Sequence, residues 1–372
     1  MTGPIQSGVR VVILVDAVFA SREREMLLRL EVGLADEGVR VVHAVPSEAP
    51  DAVGAGVYSA SLRFAGRGLP FTTGVRARRF AERLEEVDSS GHDRKPDLVH
   101  VFGGALWPFA AALGEACDTP VIYEVWRAGL ADRAAGMSAS DQRRALFLAP
   151  DTAIERTLRD RRLPARLAPW GVHAPDEPAS RLRPDRAPTF ILIGAGNDPR
   201  SMQNALEGLA ALVPQQPDLL IFADALAARR AGLYAHAQRL RMLHNLSLIE
   251  EIESRRDLLV QGDVLVLGEA LGEQRTVVLE AMAHSMIVVA AEDRDSNVLL
   301  DGATARLVRT RTPAAWAQSL QQILSDPVEA RRLGESARRF VVHERRASDQ
   351  VRHVLEAYAT LIPRADGRTA VP

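Results

Sequence analysis

The chain is predicted to be an α/β protein of two doubly wound domains, each a parallel sheet covered on both faces by helices. Three observations predict it. At 372 residues the chain is too long for one ordinary core and suits two domains of roughly 150 to 200 residues. Short β-branched runs alternate with helical patterns along its length, an order that wraps helices over both faces of a parallel sheet. Residues 173–188, HAPDEPASRLRPDRAP, are dense in proline and charge without periodicity, and as a linker they divide two such series.

In the first series the strand candidates are residues 9–15 (VRVVILV), 39–45 (VRVVHAV), 97–102 (DLVHVF) and 120–126 (PVIYEVW). Between the first two, REREMLLRLEVGLADEG places apolar residues at helical spacing and ends in Gly38, a C-terminal cap, which completes a βαβ unit. The second series reads TFILIG, DLLIFA, DVLVLG and MIVVAA, interleaved with helices such as MQNALEGLAALV. Residues 326–362, which begin DPVEARRLGESARRF, read as two helices with a solvated arginine-rich face. No internal repeat at solenoid periods is present.

Composition narrows the chemistry. With 47% apolar residues, 25% charged residues and a formal charge of -2, nothing global steers the chain toward nucleic acid. Cys117 is the single cysteine and no Cys/His cluster has zinc-ligand spacing, so no intramolecular disulfide, no structural metal and a reducing interior are expected. The start, MTGPIQSGVR, lacks the order of a secretion signal, and VVILVDAVFA is too short to span a bilayer; a cytoplasmic location is expected. Lys95 is the only lysine. It lies in HDRKPDL, without the Gly-Lys-Ser/Thr of a Walker loop and poorly placed for a pyridoxal Schiff base, which removes both chemistries.

The stretch QGDVLVLGEALGEQRTVVLEAMAHSMIVVAAEDRDSNVLLDGATARLV resembles the donor-binding half of family 4 glycosyltransferases, retaining enzymes of the GT-B fold. PDLVHVFGG, PVIYEVW, LFLAPDTAIERTLR, LAPWGVH and LSDPVEARRLGESARRFVV extend the likeness over nearly the whole chain, most strongly at its C-terminal end. The resemblance implies two Rossmann-like domains facing a central cleft: an acceptor-side domain at 1–173, a linker at 174–188, a nucleotide-sugar donor domain at 189–342, and a segment 343–372 whose helix returns to the first domain. It also implies a nucleotide-sugar substrate, transfer without a metal or other cofactor, and a glycan, lipid-linked or protein acceptor.

Residue by residue the resemblance is uneven. In the family two glutamates eight positions apart serve the donor; the ribose-binding one falls on Glu280 and the sugar-binding one on Gly272. Glu273 beside it either meets the sugar or is a plain first-turn helix acid. Arg275 and Thr276 stand at the helix start, where diphosphate is favoured. The loop after the first donor strand, GAGNDPRSM, keeps Gly194 but has Ala195 at the family's arginine position, leaving Arg200 as the replacement cation. Asn197 and Asp198 in the same loop read equally as helix caps.

On the acceptor side DAVFASRERE has no glycine, Trp126 holds a histidine position with Arg127 after it, and Gly103 and Gly104 permit close approach. His100 is either a group near the acceptor or a packed, hydrogen-bonded core residue. Ser285 stands where glycine ends the helix in the family.

The losses at Gly272, Ala195, Trp126 and the glycine-free loop leave two readings: an unusual transferase, or a protein of this fold that binds or partners without turnover. A third feature concerns location. In SLRFAGRGLPFTTGVRARRFAERL, Arg63, Arg67, Arg76, Arg78 and Arg79 mix with Phe64, Phe71 and Phe80. This composition fits peripheral docking on anionic lipid at the inner membrane face, or a solvated helix whose phenylalanines face the core.

Overall fold

The structure, a computed structural model, describes residues 8–47, 60–66, 68–86, 95–259 and 261–362. The chain divides into two compact units, Met1–Trp170 with Ala347–Pro372, and Gly171–Arg346.

Unit 1 is built on a 7-stranded parallel sheet of β1 (Arg10–Val15), β2 (Arg40–Pro46), β3 (Ala60–Phe64), β4 (Leu98–Phe102), β5 (Val121–Glu124), β6 (Ala145–Ala149) and β7 (Ala165–Leu167). Their order is β3-β2-β1-β4-β5-β6-β7. The chain runs outward from β1 through β2 to β3 and returns to pair β4 with β1, so the winding reverses between β1 and β4. Every residue of β1 and β4 is buried, as continuous apolar strands covered on both faces must be. Between β1 and β2 the helix Arg24–Asp36 ends ahead of Gly38, which takes the left-handed φ of 78° that glycine adopts without strain.

The helix Ala347–Leu361 closes unit 1 from the far end of the sequence. Tyr358 reaches His100 of β4, and Glu356 pairs with Arg166 of β7 at 2.6 Å. Arg67, the first seven residues and the last ten lie outside the described residues.

Unit 2 carries a 6-stranded parallel sheet of β8 (Thr189–Ile193), β9 (Leu220–Asp224), β10 (Leu246–Ile249), β11 (Val264–Leu267), β12 (Ile287–Ala291) and β13 (Arg306–Val308). Its order, β10-β9-β8-β11-β12-β13, reverses between β8 and β11. β8, β11 and β12 are wholly buried and in register, Leu267 opposite Ile193 and Ala290.

The proline-rich stretch expected to be a linker is a tied-down part of unit 2. Arg181 is 2% exposed and donates to the carbonyls of Gly262 at 2.7 Å and His284 at 2.7 and 3.1 Å. Burial pulls its pKa down to about 10, with Asp263 opposing that shift. Asp263 accepts from the amides of Leu182 and Thr189 and from Arg186. Periodicity did not reveal this because the segment is fixed by side-chain bonds to another strand end rather than by repeating structure of its own.

Candidate functional site

In unit 2 a pocket opens beyond the carboxyl ends of β8, β11 and β12. Gly194 follows β8, Glu269 and Leu271 follow β11, and Asp293, Ser296 and Val298 follow β12. The register of β8 and β11 sets residues 195 and 269 side by side. The Glu269 side chain accordingly crosses to the neighbouring loop: Oε2 accepts the amides of Ala195 at 2.6 Å and Gly196 at 2.9 Å, and Oε1 accepts that of Asp198 at 2.5 Å. Three N–H groups converging on one carboxylate form an anion-binding concavity. Each such charge-assisted bond is worth about 1.5–3 kcal/mol.

The loop is shaped for this. A Cβ on Gly194 would stand 2.5 Å from Glu269 Oε2, and Gly196 turns at φ 70° against the carbonyl of Ala227. Asp198 then caps the helix Pro199–Ala210 through Ser201, and that hydroxyl, with the amide, holds its carboxyl below the usual range.

On the opposite side of the pocket, Arg275 is 7% exposed and donates to Glu253 at 2.9 Å and to Glu273 at 2.9 and 3.3 Å. It occupies the N-cap position of the helix Thr276–Ala283, all of whose residues are buried. One turn on, Glu280 lies 2.9 Å from Arg256, whose other branch donates to the Thr276 hydroxyl at 3.0 Å. The Gly272 amide, at a left-handed φ of 61°, donates to Asp293 at 2.7 Å. The polar groups of the pocket are thus answered largely by acids of the same unit.

A second cluster gathers at the winding reversal of unit 1. Asp16 follows β1, caps the helix Ala17–Arg22 through the Phe19 amide at 2.8 Å, and packs so close to Gly103 that a Cβ there would stand 2.0 Å from its Oδ2. Burial pushes its carboxyl above the ordinary range, against the pull of the Phe19 amide and Arg22. Trp126 lies beyond β5 with Phe19 at 6.0 Å, and the guanidinium groups of Arg22 and Arg127 stand 4.6 and 5.3 Å from the centre of its ring.

Two family models match the sequence, Glycosyl transferases group 1 over residues 187–326 and Glycosyl transferase 4-like domain over residues 24–166. The chain belongs to the glycosyltransferase 4-like family.

Structures of the same fold include Anabaena HepE in complex with UDP and glucose, with a TM-score of 0.71, 11% identity and coverage of 95% of this chain and 100% of that one. A Rickettsia africae glycosyltransferase follows at 0.68, with 13% identity and coverage of 96% and 99%. Sucrose-phosphate synthase from Thermosynechococcus elongatus stands at 0.67, with 16% identity and coverage of 94% and 98%. No curated protein matches the sequence. These solved structures and the two parallel sheets agree on a GT-B fold of two Rossmann-like domains.

Within unit 2 of this glycosyltransferase-family chain the expected site residues fall into three groups. Gly194, Glu273 and Arg275 line one pocket together. Thr276 and Glu280 stand behind it, joined through Arg256. Arg200, expected as the replacement cation, is exposed on the first turn of its helix and does not line the pocket. Its place beside the loop is taken by Arg230, which donates to the Ala195 carbonyl at 3.1 Å.

In unit 1, Gly103 and Trp126 come together around Asp16 and Phe19, with Arg127 on the tryptophan and Gly104 against Leu130. His100 is a correction. It is 0% exposed, with Nδ1 2.9 Å from Tyr358 and Nε2 3.2 Å from Glu124, so it is the packed core residue and not a group open to an acceptor.

Glu269, Asp293, Arg256, Glu253 and Asp16 escaped the sequence reading. Only Glu269 carried a signal, an acid two residues past a buried strand whose neighbour ends in Gly-Ala-Gly.

Proposed function

We propose that this chain is a glycosyltransferase that draws its sugar from a nucleotide-sugar donor held in the pocket of unit 2, with no metal cofactor. The position of that pocket carries the reading: it lies beyond the strand ends where the order reverses between β8 and β11, the place where open parallel sheets bind ligands. HepE, of the same fold, has been solved with UDP-glucose, which supports a nucleotide sugar.

In this reading the amides after Gly194 face the diphosphate, Arg275 and Thr276 meet its charge at the start of their helix, Glu280 takes the ribose hydroxyls, and Glu273 meets the sugar. The acceptor hydroxyl, on a glycan, a lipid-linked sugar or a protein, is assigned to unit 1 near Gly103, Gly104, Trp126 and Arg127. The bond from the anomeric carbon to the diphosphate breaks, the acceptor oxygen bonds to that carbon with retention, and nucleoside diphosphate leaves with the proton of the acceptor hydroxyl. Stabilising the departing charge falls to backbone amides and Arg275.

Calorimetric titration with UDP, GDP, ADP and their sugar conjugates tests it. One of the nucleotides is expected to bind, and Glu280→Gln is expected to weaken it about tenfold. Silence across the whole panel sinks the reading.

A second reading, a binding or partner subunit without turnover, is favoured by one observation: Glu269, Asp293, Glu253 and Glu273 already engage the amides and the arginine that a donor would use. Release of nucleoside diphosphate from a bound donor, followed by a coupled assay, separates the two.

No helix among the described residues is long and apolar enough to cross a membrane. The proposed location is cytoplasmic and peripheral at the inner membrane face. Leu69, Phe71 and Val75 are 60%, 80% and 53% exposed, beside exposed Arg78 and Arg79, and this mixed surface supports it.

A further inference from the structure

The amides that the donor reading assigns to the diphosphate already have an occupant. We infer that Glu269 is a built-in competitor for the diphosphate, so that phosphate reaches the loop at residues 194–198 only by displacing its carboxylate, and selection of the donor falls on the nucleoside and the sugar. This inference rests on the donor reading above.

Both carboxylate oxygens are committed, Oε2 to Ala195 and Gly196 and Oε1 to Asp198. A phosphate oxygen would need the same three N–H groups, because they are the ones the loop turns inward. The fit of the carboxylate is built into the chain. Gly194 leaves open the space that Oε2 fills, and a side chain there would collide with it at 2.5 Å. Glu269 is 9% exposed and its hydrogen bonds are to backbone amides, not to a cation.

An anion held only by amides exchanges for another anion without stranding a partner charge. The exchange nevertheless sets the full cost of releasing one charge against the gain of binding another. The phosphates therefore contribute little net affinity, unlike a nucleotide entering an unoccupied loop. Arg275, the pocket's arginine, is shared between Glu253 and Glu273 and does not restore that loss.

The test compares wild type with Glu269→Gln and Glu269→Ala, titrated with uridine and UDP, guanosine and GDP, adenosine and ADP, and inorganic pyrophosphate. Wild type is expected to bind the preferred nucleoside and its diphosphate within about threefold of each other and to ignore pyrophosphate. Glu269→Gln, which keeps the shape and removes the charge, is expected to bind the diphosphate about tenfold or more tighter than wild type does, and to gain pyrophosphate binding.

A wild-type preference for the diphosphate of about tenfold over the nucleoside overturns the inference and leaves the donor reading standing. Nucleotide affinities that are unchanged in both variants do the same. No binding of any nucleotide or pyrophosphate to any of the three proteins removes the donor reading and this inference with it. If neither variant folds, the nucleoside-to-diphosphate ratio of the wild type decides alone.

Discussion

At the scale of single residues, Asp16 shows how a helix cap and a buried charge pull against each other. Its Oδ1 satisfies an amide that the helix Ala17–Arg22 leaves open, while burial disfavours the ionised form. The folded protein therefore holds the proton more tightly than the unfolded chain. Stability from this site is intact below the unfolded carboxyl value of about 4 and is lost as pH rises through that value toward the raised one. Asparagine keeps the cap acceptor and sheds the charge. Asp16→Asn is expected to stabilise the protein by about 1 kcal/mol at pH 7, an advantage that fades as the pH is lowered to about 3. Melting curves across that range check it, and an advantage that does not change with pH would remove burial as its cause. Ser285 is a plainer case: it sits at a left-handed φ of 56°, a backbone conformation that favours glycine.

At the scale of elements, the helix Ala347–Leu361 is held to unit 1 by a buried chain of polar contacts. Tyr358 meets His100, His100 meets Glu124, and Glu124 accepts from Trp170 at 2.5 Å. Burial pushes the Tyr358 phenol well above its ordinary range, so it stays neutral. Removing its hydroxyl leaves a fully buried ring nitrogen without its partner. Tyr358→Phe is expected to cost about 1–3 kcal/mol of unit 1 stability and to leave unit 2 untouched. Hydrogen exchange read separately on the two sheets checks this; equal loss of protection in β8 and β4 would count against it.

At the scale of the whole molecule each unit has a core cluster of its own, one running from Val12 to Leu163 and one from Leu182 to Leu333, and the chain passes between its units twice. A formal charge of -2 gives no general attraction to anionic surfaces, so any membrane contact must be local. Phe64 and Phe80 pack inward as the solvated-helix reading expected, but Phe71 stands out beside Leu69 and Val75. Basic residues near a membrane contribute about 1 kcal/mol each. Vesicles of phosphatidylcholine with phosphatidylserine are expected to bind the protein, and Arg78→Ala with Arg79→Ala, or Phe71→Ser alone, is expected to weaken that binding in a sedimentation assay. Binding that survives both changes rules out docking through this surface.

The sequence by itself determined the fold class, the family resemblance and the strands β1, β2, β4, β5, β8, β9, β11 and β12; all of these but β9 are almost wholly buried, and a parallel strand buried on both faces must be a continuous apolar run. β3, β7, β10 and β13 lie toward or at the sheet edges, where burial is partial and the pattern fades. Of the residues that the sequence singled out in local motifs, Gly194, Glu273 and Arg275 line the pocket of unit 2, and Thr276 and Glu280 do not. Only the tertiary structure decided what those residues touch. Glu269 bonds amides 71 to 74 residues away, Arg275 reaches Glu253 22 residues away, and Tyr358 meets His100 across 258 residues. A charge is legible in the chain, but its partner is set by which strand ends the sheet order brings together.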